Sequence, residues 1–129
     1  MKRGWIESTL GATCEIYQPK TITAKEMTPT GAYPVFGANG VIGKYDHFNH
    51  EESQVLVTCR GATCGTVNIS EPFSWITGNA MVVRPKTDAV DNAFLAYSLR
   101  GAVDIRKAIT GAAQPQITRA NLSPLRFCY

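Results

Sequence analysis

Large apolar side chains recur along this chain in short runs, separated by clusters of glycine, proline, asparagine and threonine. That punctuation predicts several short strands with tight turns, and few helices. Trp5 to Leu10 reads as a short opening helix. Cys14-Glu15-Ile16-Tyr17 alternates like a strand and stops before Pro19, and Lys20 to Thr30 is polar, threonine-rich and irregular. Residues 31–43, Gly-Ala-Tyr-Pro-Val-Phe-Gly-Ala-Asn-Gly-Val-Ile-Gly, form the most informative stretch. Gly31, Gly37, Gly40 and Gly43 each permit positive φ, and Pro34 biases Tyr33 toward extended geometry. Tyr33, Val35, Phe36, Val41 and Ile42 need a core to enter, so the segment is a folded β element and not a linker.

Lys44 to Ser53 is an acidic, histidine-bearing connection. Val55 to Cys59 is a β-rich apolar run, hence a buried strand; Gly61 to Gly65 supplies turn residues, and Thr66 to Ile69 completes a hairpin. Phe73 to Ile76 and Ala80 to Val83 flank Thr77-Gly78-Asn79, and Pro85 ends the second of them. Helical spacing appears only afterwards. Val90, Ala93, Phe94 and Tyr97 fall at i, i+3, i+4, i+7, with Thr87 or Asp88 as N-cap and Gly101 as the stop. A short helix over Val103 to Ile109, one turn near Asn121 to Leu125, and an edge strand over Arg126 to Tyr129 finish the chain. Tyr33, Phe36, Trp75, Phe94 and Tyr97 read as core. Strands first and helices last indicate an α+β domain with a twisted, mainly antiparallel sheet.

The 129 residues amount to one domain, 1–129, and 44% hydrophobic with 18% charged residues is a globular balance. No apolar run is long enough to cross a bilayer. Met1-Lys2-Arg3 is basic, but Glu7 follows and no signal-type apolar region develops, so the expected location is cytoplasmic and the cysteines reduced. Cys14, Cys59, Cys64 and Cys128 then act as small apolar residues. The spacing of Cys59 and Cys64, with His47 and His50 upstream, does not suit zinc. Net charge is +3; residues 65–129 hold seven Lys/Arg against four Asp/Glu. From Arg100 onward only Asp104 opposes Arg100, Arg106, Lys107, Arg119 and Arg126. A basic end interleaved with Gln114, Gln116 and Asn121 suits a nucleic-acid surface, though charge alone favours the plainer reading, a solvated helix face beside a loop.

Catalytic patterns are missing. There is no Gly-x-Ser-x-Gly and no phosphate-cradling Gly-x₄-Gly-Lys, and Gly37 to Gly43 lacks the dinucleotide spacing. A thiol–imidazole pair from Cys59 or Cys64 with His47 or His50 has no orienting third group. No catalytic residue, metal ligand or cofactor is assigned.

In order along the chain stand Trp5 and Leu10; Gly31-x-Tyr-Pro-Val-Phe-Gly-x-Asn-Gly-x-Ile-Gly; Val55-Leu-Val running into Arg60-Gly61-x₃-Gly65; Trp75-Ile-Thr with Asn79-Ala80; Phe94-Leu-x-Tyr97; and Gly111-x₂-Gln114-Pro-Gln116-Ile117 before Leu122. Together they resemble the target recognition domain of the specificity subunits of type I restriction–modification enzymes, over essentially the whole chain. The resemblance implies a non-catalytic module that reads one half of a bipartite site in double-stranded DNA. In that family two such domains are joined by long helices that dock methyltransferase subunits. Here no long spacer helix follows Pro124 to Tyr129, which leaves methyltransferase recruitment open, together with an excised domain, a stand-alone product or a repurposed protein-interaction module of the same fold. A homodimer would raise the avidity of a lone reading head.

Family members with the same glycine and glutamine motifs read different sequences, so the resemblance implies that the motifs set the frame and that intervening polar residues read bases. Lys44, Arg60, Gln114, Gln116 and Arg119 are thus the phosphate or backbone candidates. Lys20, Thr21, Thr23 and Lys25 are the base-reading candidates.

Overall fold

The structure is a computed structural model and describes residues 4–129; Met1, Lys2 and Arg3 of the basic opening lie outside them. In chain order the elements are β1 (Glu7–Thr9), α1 (Leu10–Thr13), β2 (Cys14–Tyr17), β3 (Tyr33–Phe36), β4 (Val41–Tyr45), β5 (Val55–Thr58), β6 (Val67–Ile69), β7 (Trp75–Ile76) and β8 (Ala80–Pro85). Then come α2 (Asn92–Arg100), a 3₁₀ turn (Ile105–Ala108), β9 (Ile109–Thr110), β10 (Gln116–Ile117), α3 (Arg119–Leu122) and β11 (Arg126–Cys128). The class is α+β.

The central layer is the antiparallel sheet β2-β8-β5-β6. Val55 and Val57 point to one side with Ile16, Met81 and Val83, and meet Leu95, Ala96 and Leu99 of α2 together with Leu122 and Phe127. Leu56 points to the other side with Ala80 and Val82, and meets Phe36 and Ile76. Those two belong to a second sheet, β4-β3-β7, whose β3–β7 pair is parallel. Every residue of β5 is therefore buried, which explains an apolar run without alternation. The expected hairpin over 55–69 forms, with Val55 opposite Ile69. The strands flanking Thr77-Gly78-Asn79 part company instead: β7 joins the small sheet and β8 the central one.

Three expectations need correction. The opening is a strand where a helix was expected: Glu7 pairs with Cys128 and Thr9 with Arg126, so the C-terminal strand supplies partners that no local signal reveals. A helix starts only at Leu10, capped by the Thr9 hydroxyl, which accepts from Ala12 N at 3.2 Å. Second, the N-cap of α2 is Asp91, whose Oδ1 accepts from Phe94 N at 2.7 Å, and Val90 packs beside Leu95 in the core as a hydrophobic staple. That start turns Leu95, Ala96, Ser98 and Leu99 inward and leaves Tyr97 76% exposed, so Tyr97 is not core. Tyr33, Trp75 and Phe94 are half-buried, and Phe36 is buried as expected. Third, Val41 and Ile42 are 57% and 53% exposed, because β4 is the edge strand of the small sheet.

Only Gly40 of the four glycines in 31–43 adopts positive φ (+138°). Gly31 is required for a different reason: a Cβ there would sit 2.5 Å from the carbonyl of Tyr45. The loop before β3 thus closes directly on the β4 backbone.

His50 is buried where the two sheets join. Its Nδ1 lies 2.7 Å from Asn49 Oδ1, and its Nε2 lies 2.6 Å from the Tyr17 hydroxyl. The Asn49 amide is oriented by Ile76, whose N–H donates to Oδ1 at 2.8 Å and whose carbonyl accepts from Nδ2 at 3.0 Å. Nδ1 therefore carries the proton and Nε2 accepts from Tyr17, a neutral imidazole. Burial first, then the Arg84 charge, holds the His50 pKa below its ordinary value.

The folded state thus resists a proton that the unfolded chain takes up, so the stability from neutral His50 is present above the unfolded pKa and lost as pH falls below it. Urea unfolding should show stability dropping from about pH 7.5 to about pH 5.5, with a smaller drop in His50→Gln. Gly31→Ala should cost about 1–3 kcal/mol in the same assay, as overpacking against backbone.

Candidate nucleic-acid interface

β5 ends at Thr58, and the chain continues through Cys59, whose N–H donates to Asn79 O at 3.2 Å. The next residues leave the sheet and meet the second glycine-rich segment. Ile117 N–H donates to Cys59 O and Gly61 N–H to Pro115 O, each at 2.9 Å. Those two bonds enclose an antiparallel bridge between Arg60 and Gln116. It is the pair type without direct hydrogen bonds, in which Cα atoms approach to about 4.5 Å and side chains stand close. On its other edge Gln116 faces Thr110 across the β9–β10 pair. Arg60, Gln116 and Thr110 therefore stand in a row across a narrow ribbon, all exposed.

The turn that carries Gln114 needs glycine. Gly111 has φ +86°, and a Cβ there would lie 2.5 Å from Gln114 O. A second clamp comes from the Gly37–Gly40 turn. Asn39 Nδ2 donates to Thr63 Oγ1 at 2.7 Å, and the buried Thr58 hydroxyl donates to Ala38 O at 2.5 Å, with Asn39 Oδ1 a second, longer neighbour at 3.1 Å. One asparagine thus ties the small sheet to the strand end and to the turn after Arg60.

Arg60 and Gln116 form a wall between two depressions. One, of about 350 Å³, is bounded also by Tyr17, Gln18, Thr118 and Arg119. The other, of about 690 Å³, is bounded by Gly61, Ala62, Ala112, Ala113, Gln114 and Pro115. Arg60, Gln114, Gln116 and Arg119 are thus brought together on exposed backbone. Lys44 is placed elsewhere, on β4 opposite Pro34, where its carbonyl accepts from Thr28 N at 2.8 Å.

The polar loop that holds the remaining candidates is pinned near the groove. Gln18 Nε2 donates to Gly78 O at 2.6 Å, and Gly78 N–H donates to the Thr21 hydroxyl at 2.9 Å. The Thr23 hydroxyl donates to Glu26 Oε1 at 3.2 Å. Thr21 and Thr23 therefore have internal duties, while Lys20 and Lys25 are exposed and, among the described residues, have no carboxylate within bridging distance. Gln18, Thr110 and Thr118 share the surface without having been singled out; only tertiary pairing places them there.

The basic C-terminal residues do not form one patch. Arg119 alone joins the groove. Arg100 donates to Val67 O at 3.0 Å, Arg106 faces Asp104 at 3.8 Å, and Arg126 pairs with Glu7 at 3.0 Å.

The four cysteines are unpaired thiols. Burial drives the Cys14 pKa up to about 11 against the weaker pull of Lys86, and burial likewise raises Cys59 and Cys64. Such thiols stay protonated near neutrality and are poor nucleophiles. Among the described residues no three His, Cys, Asp or Glu side chains cluster to hold a metal ion.

Residues 2–127 match the family described as the type I restriction modification DNA specificity domain, and the chain belongs to that family. Specificity domains of this kind are non-catalytic. Among curated proteins it is 28% identical over 95 residues to the type I restriction enzyme EcoprrI specificity subunit of Escherichia coli, covering 74% of this chain and 23% of that protein. Among solved structures it resembles the type I restriction-modification S subunit of M. genitalium (TM-score 0.81, 19% identity, 98% of this chain and 34% of that one). It also resembles the HsdS subunit of Thermoanaerobacter tengcongensis (TM-score 0.64, 16% identity, 99% and 34%). The chain therefore spans about a quarter of the curated relative and about a third of each solved one.

Alkylation of the folded protein near neutral pH should be slow at Cys14 and Cys59 and become fast on denaturation. Rapid native labelling at Cys59 would contradict the burial described above, and peptide mapping by mass spectrometry distinguishes the sites.

Proposed function

We propose that this domain reads one half of a bipartite sequence in double-stranded DNA. The observation that carries the reading is the Arg60–Gln116 bridge: a cation and an amide held side by side on exposed backbone, with Gln114 and Arg119 beside them. Arg60 and Arg119 neutralise phosphates, and Gln114 and Gln116 bond backbone oxygens, which sets the frame of the duplex. Lys44, carried on the small sheet, makes an outlying phosphate contact. Lys20 and Lys25, with Thr21 and Thr23 shaping their loop, supply base contacts of about 1–3 kcal/mol discrimination each where bidentate.

The domain acts within an assembly whose methyltransferase subunits supply chemistry, in the cytoplasm where DNA is reached. By itself it binds weakly: neutralising about four phosphates gives a log–log salt slope near −3.6, and a second reading head, in the same protein or as a homodimer, multiplies avidity. Family membership supports DNA reading over a repurposed protein-interaction module.

Selection from a random duplex library at low salt should enrich a short motif, and a flat profile would overturn the proposal. Arg60→Ala and Arg119→Ala should each lessen the salt slope by about 0.9 and weaken all duplexes alike. Lys25→Ala should instead change the enriched motif.

A further inference from the structure

Away from the groove, the small sheet carries a second surface of different chemistry. Tyr33 and Tyr45 are cross-strand partners on β3 and β4. From Tyr33 a chain of edge-to-face contacts runs to Phe48 at 5.0 Å and on to Phe73 at 5.2 Å. From Tyr45 another runs to Trp75 at 5.2 Å and His47 at 5.3 Å. Phe48 and Phe73 are 39% and 44% exposed, so the rings are packed against one another yet open to solvent.

Phe73 is also the only non-glycine among the described residues at positive φ (+54°). A glycine would adopt that backbone without the steric cost, whereas a bulky residue resists it. The position keeps a phenyl ring where the backbone alone would favour its loss. Its N–H donates to Glu51 O at 3.1 Å, which brings the Glu51 segment alongside the ring.

Charge separates this surface from the reading groove. Residues 45–59 and 61–83 contain Asp46, Glu51, Glu52 and Glu71 and no lysine or arginine. All four acids are exposed; Glu71 lies two residues before Phe73 and Glu51 is held to it through the backbone, whereas Asp46 accepts from the Thr28 hydroxyl at 3.2 Å on the side of Lys44 and does not join the rim. Of the neighbouring cations, Lys44 alternates with Tyr45 along β4 and so takes the opposite face. Arg84 donates to Gln54 Oε1 at 3.3 Å and lines one depression with Glu51 and Glu52, on the side of α2 and away from the rings. Phosphate is repelled from such a rim. A guanidinium is attracted twice, by ring faces and by carboxylates, and its planar group stacks where an ammonium does not.

We propose that this aromatic, carboxylate-rimmed face docks an arginine-bearing segment of a protein partner. It stands apart from DNA reading, and the two fail separately. In the whole chain carrying Trp5→Phe, fluorescence reports Trp75. A short peptide of alternating arginine and leucine should shift that emission and bind about tenfold more tightly than the same peptide with citrulline for arginine. Phe73→Gly should weaken it about tenfold without lowering the unfolding midpoint, and so should Glu51→Gln with Glu52→Gln. Phe48→Ser provides an independent variant of the same face. None of these should alter duplex binding. Equal affinity for the two peptides, or peptide affinity indifferent to the variants, would overturn the proposal. So would parallel loss of duplex binding, which would place the face on the DNA path, or self-association by sedimentation that the variants abolish, which would make the occupant a second copy.

Discussion

Burial of β5 and β8 from both sides is the constraint on which the rest of the molecule depends. Val55 and Val57 serve the helical layer while Leu56 serves the small sheet, so a slip of one residue would exchange two packed faces at once. Strand register is therefore rigidly specified, and with it the point at which the chain leaves the sheet. Arg60 stands two residues beyond that point. Its placement is inherited from the core, not from the loop in which it lies, and this gives a surface cation the definition that a binding site needs.

Hydrogen bonds complete what burial begins. Asn39 reaches from the small sheet to Thr58 and Thr63, and the 115–117 segment pairs with 59–61 through backbone alone. Backbone pairing tolerates side-chain change, whereas the Asn39 contacts do not. The glycines at 31 and 111 act through close approach and positive φ respectively. These positions hold turns rigid.

Much of this was legible in the sequence because the signals are local. The 55–69 hairpin, the strand at 14–17 and the irregular loop at 20–30 announce themselves by alternation and turn residues. What was illegible is non-local. β1 exists because β11 returns to pair with it, and the stretch around Trp5 gives no hint of that. The inward face of α2 is set by Leu95, Ala96 and Leu99 packing into the core. With the helix starting after Asp91, Val90 lies outside it, so the spacing that pointed Tyr97 inward does not apply. For the site, the fold brings Arg60, Gln114, Gln116 and Arg119 onto one surface, whereas Lys44 sits on another sheet. The basic C-terminal stretch was misleading as a patch, because Arg100 is held at the Val67 carbonyl while Arg106 and Arg126 face Asp104 and Glu7, each in a different place.

The polar loop has one property that reaches beyond this chain. Thr21 is fastened to Gly78 and Thr28 to the Lys44 carbonyl, and Ile22 and Met27 are tucked in just inside those fasteners. Between them only Thr23-Ala24-Lys25-Glu26 bulges outward, a single turn closed by Glu26 N–H on Thr23 O at 3.0 Å. A cassette bolted at both ends can be rewritten in its middle without disturbing the frame, so the surface presented here can change by drift of a few letters while the scaffold stays as it is.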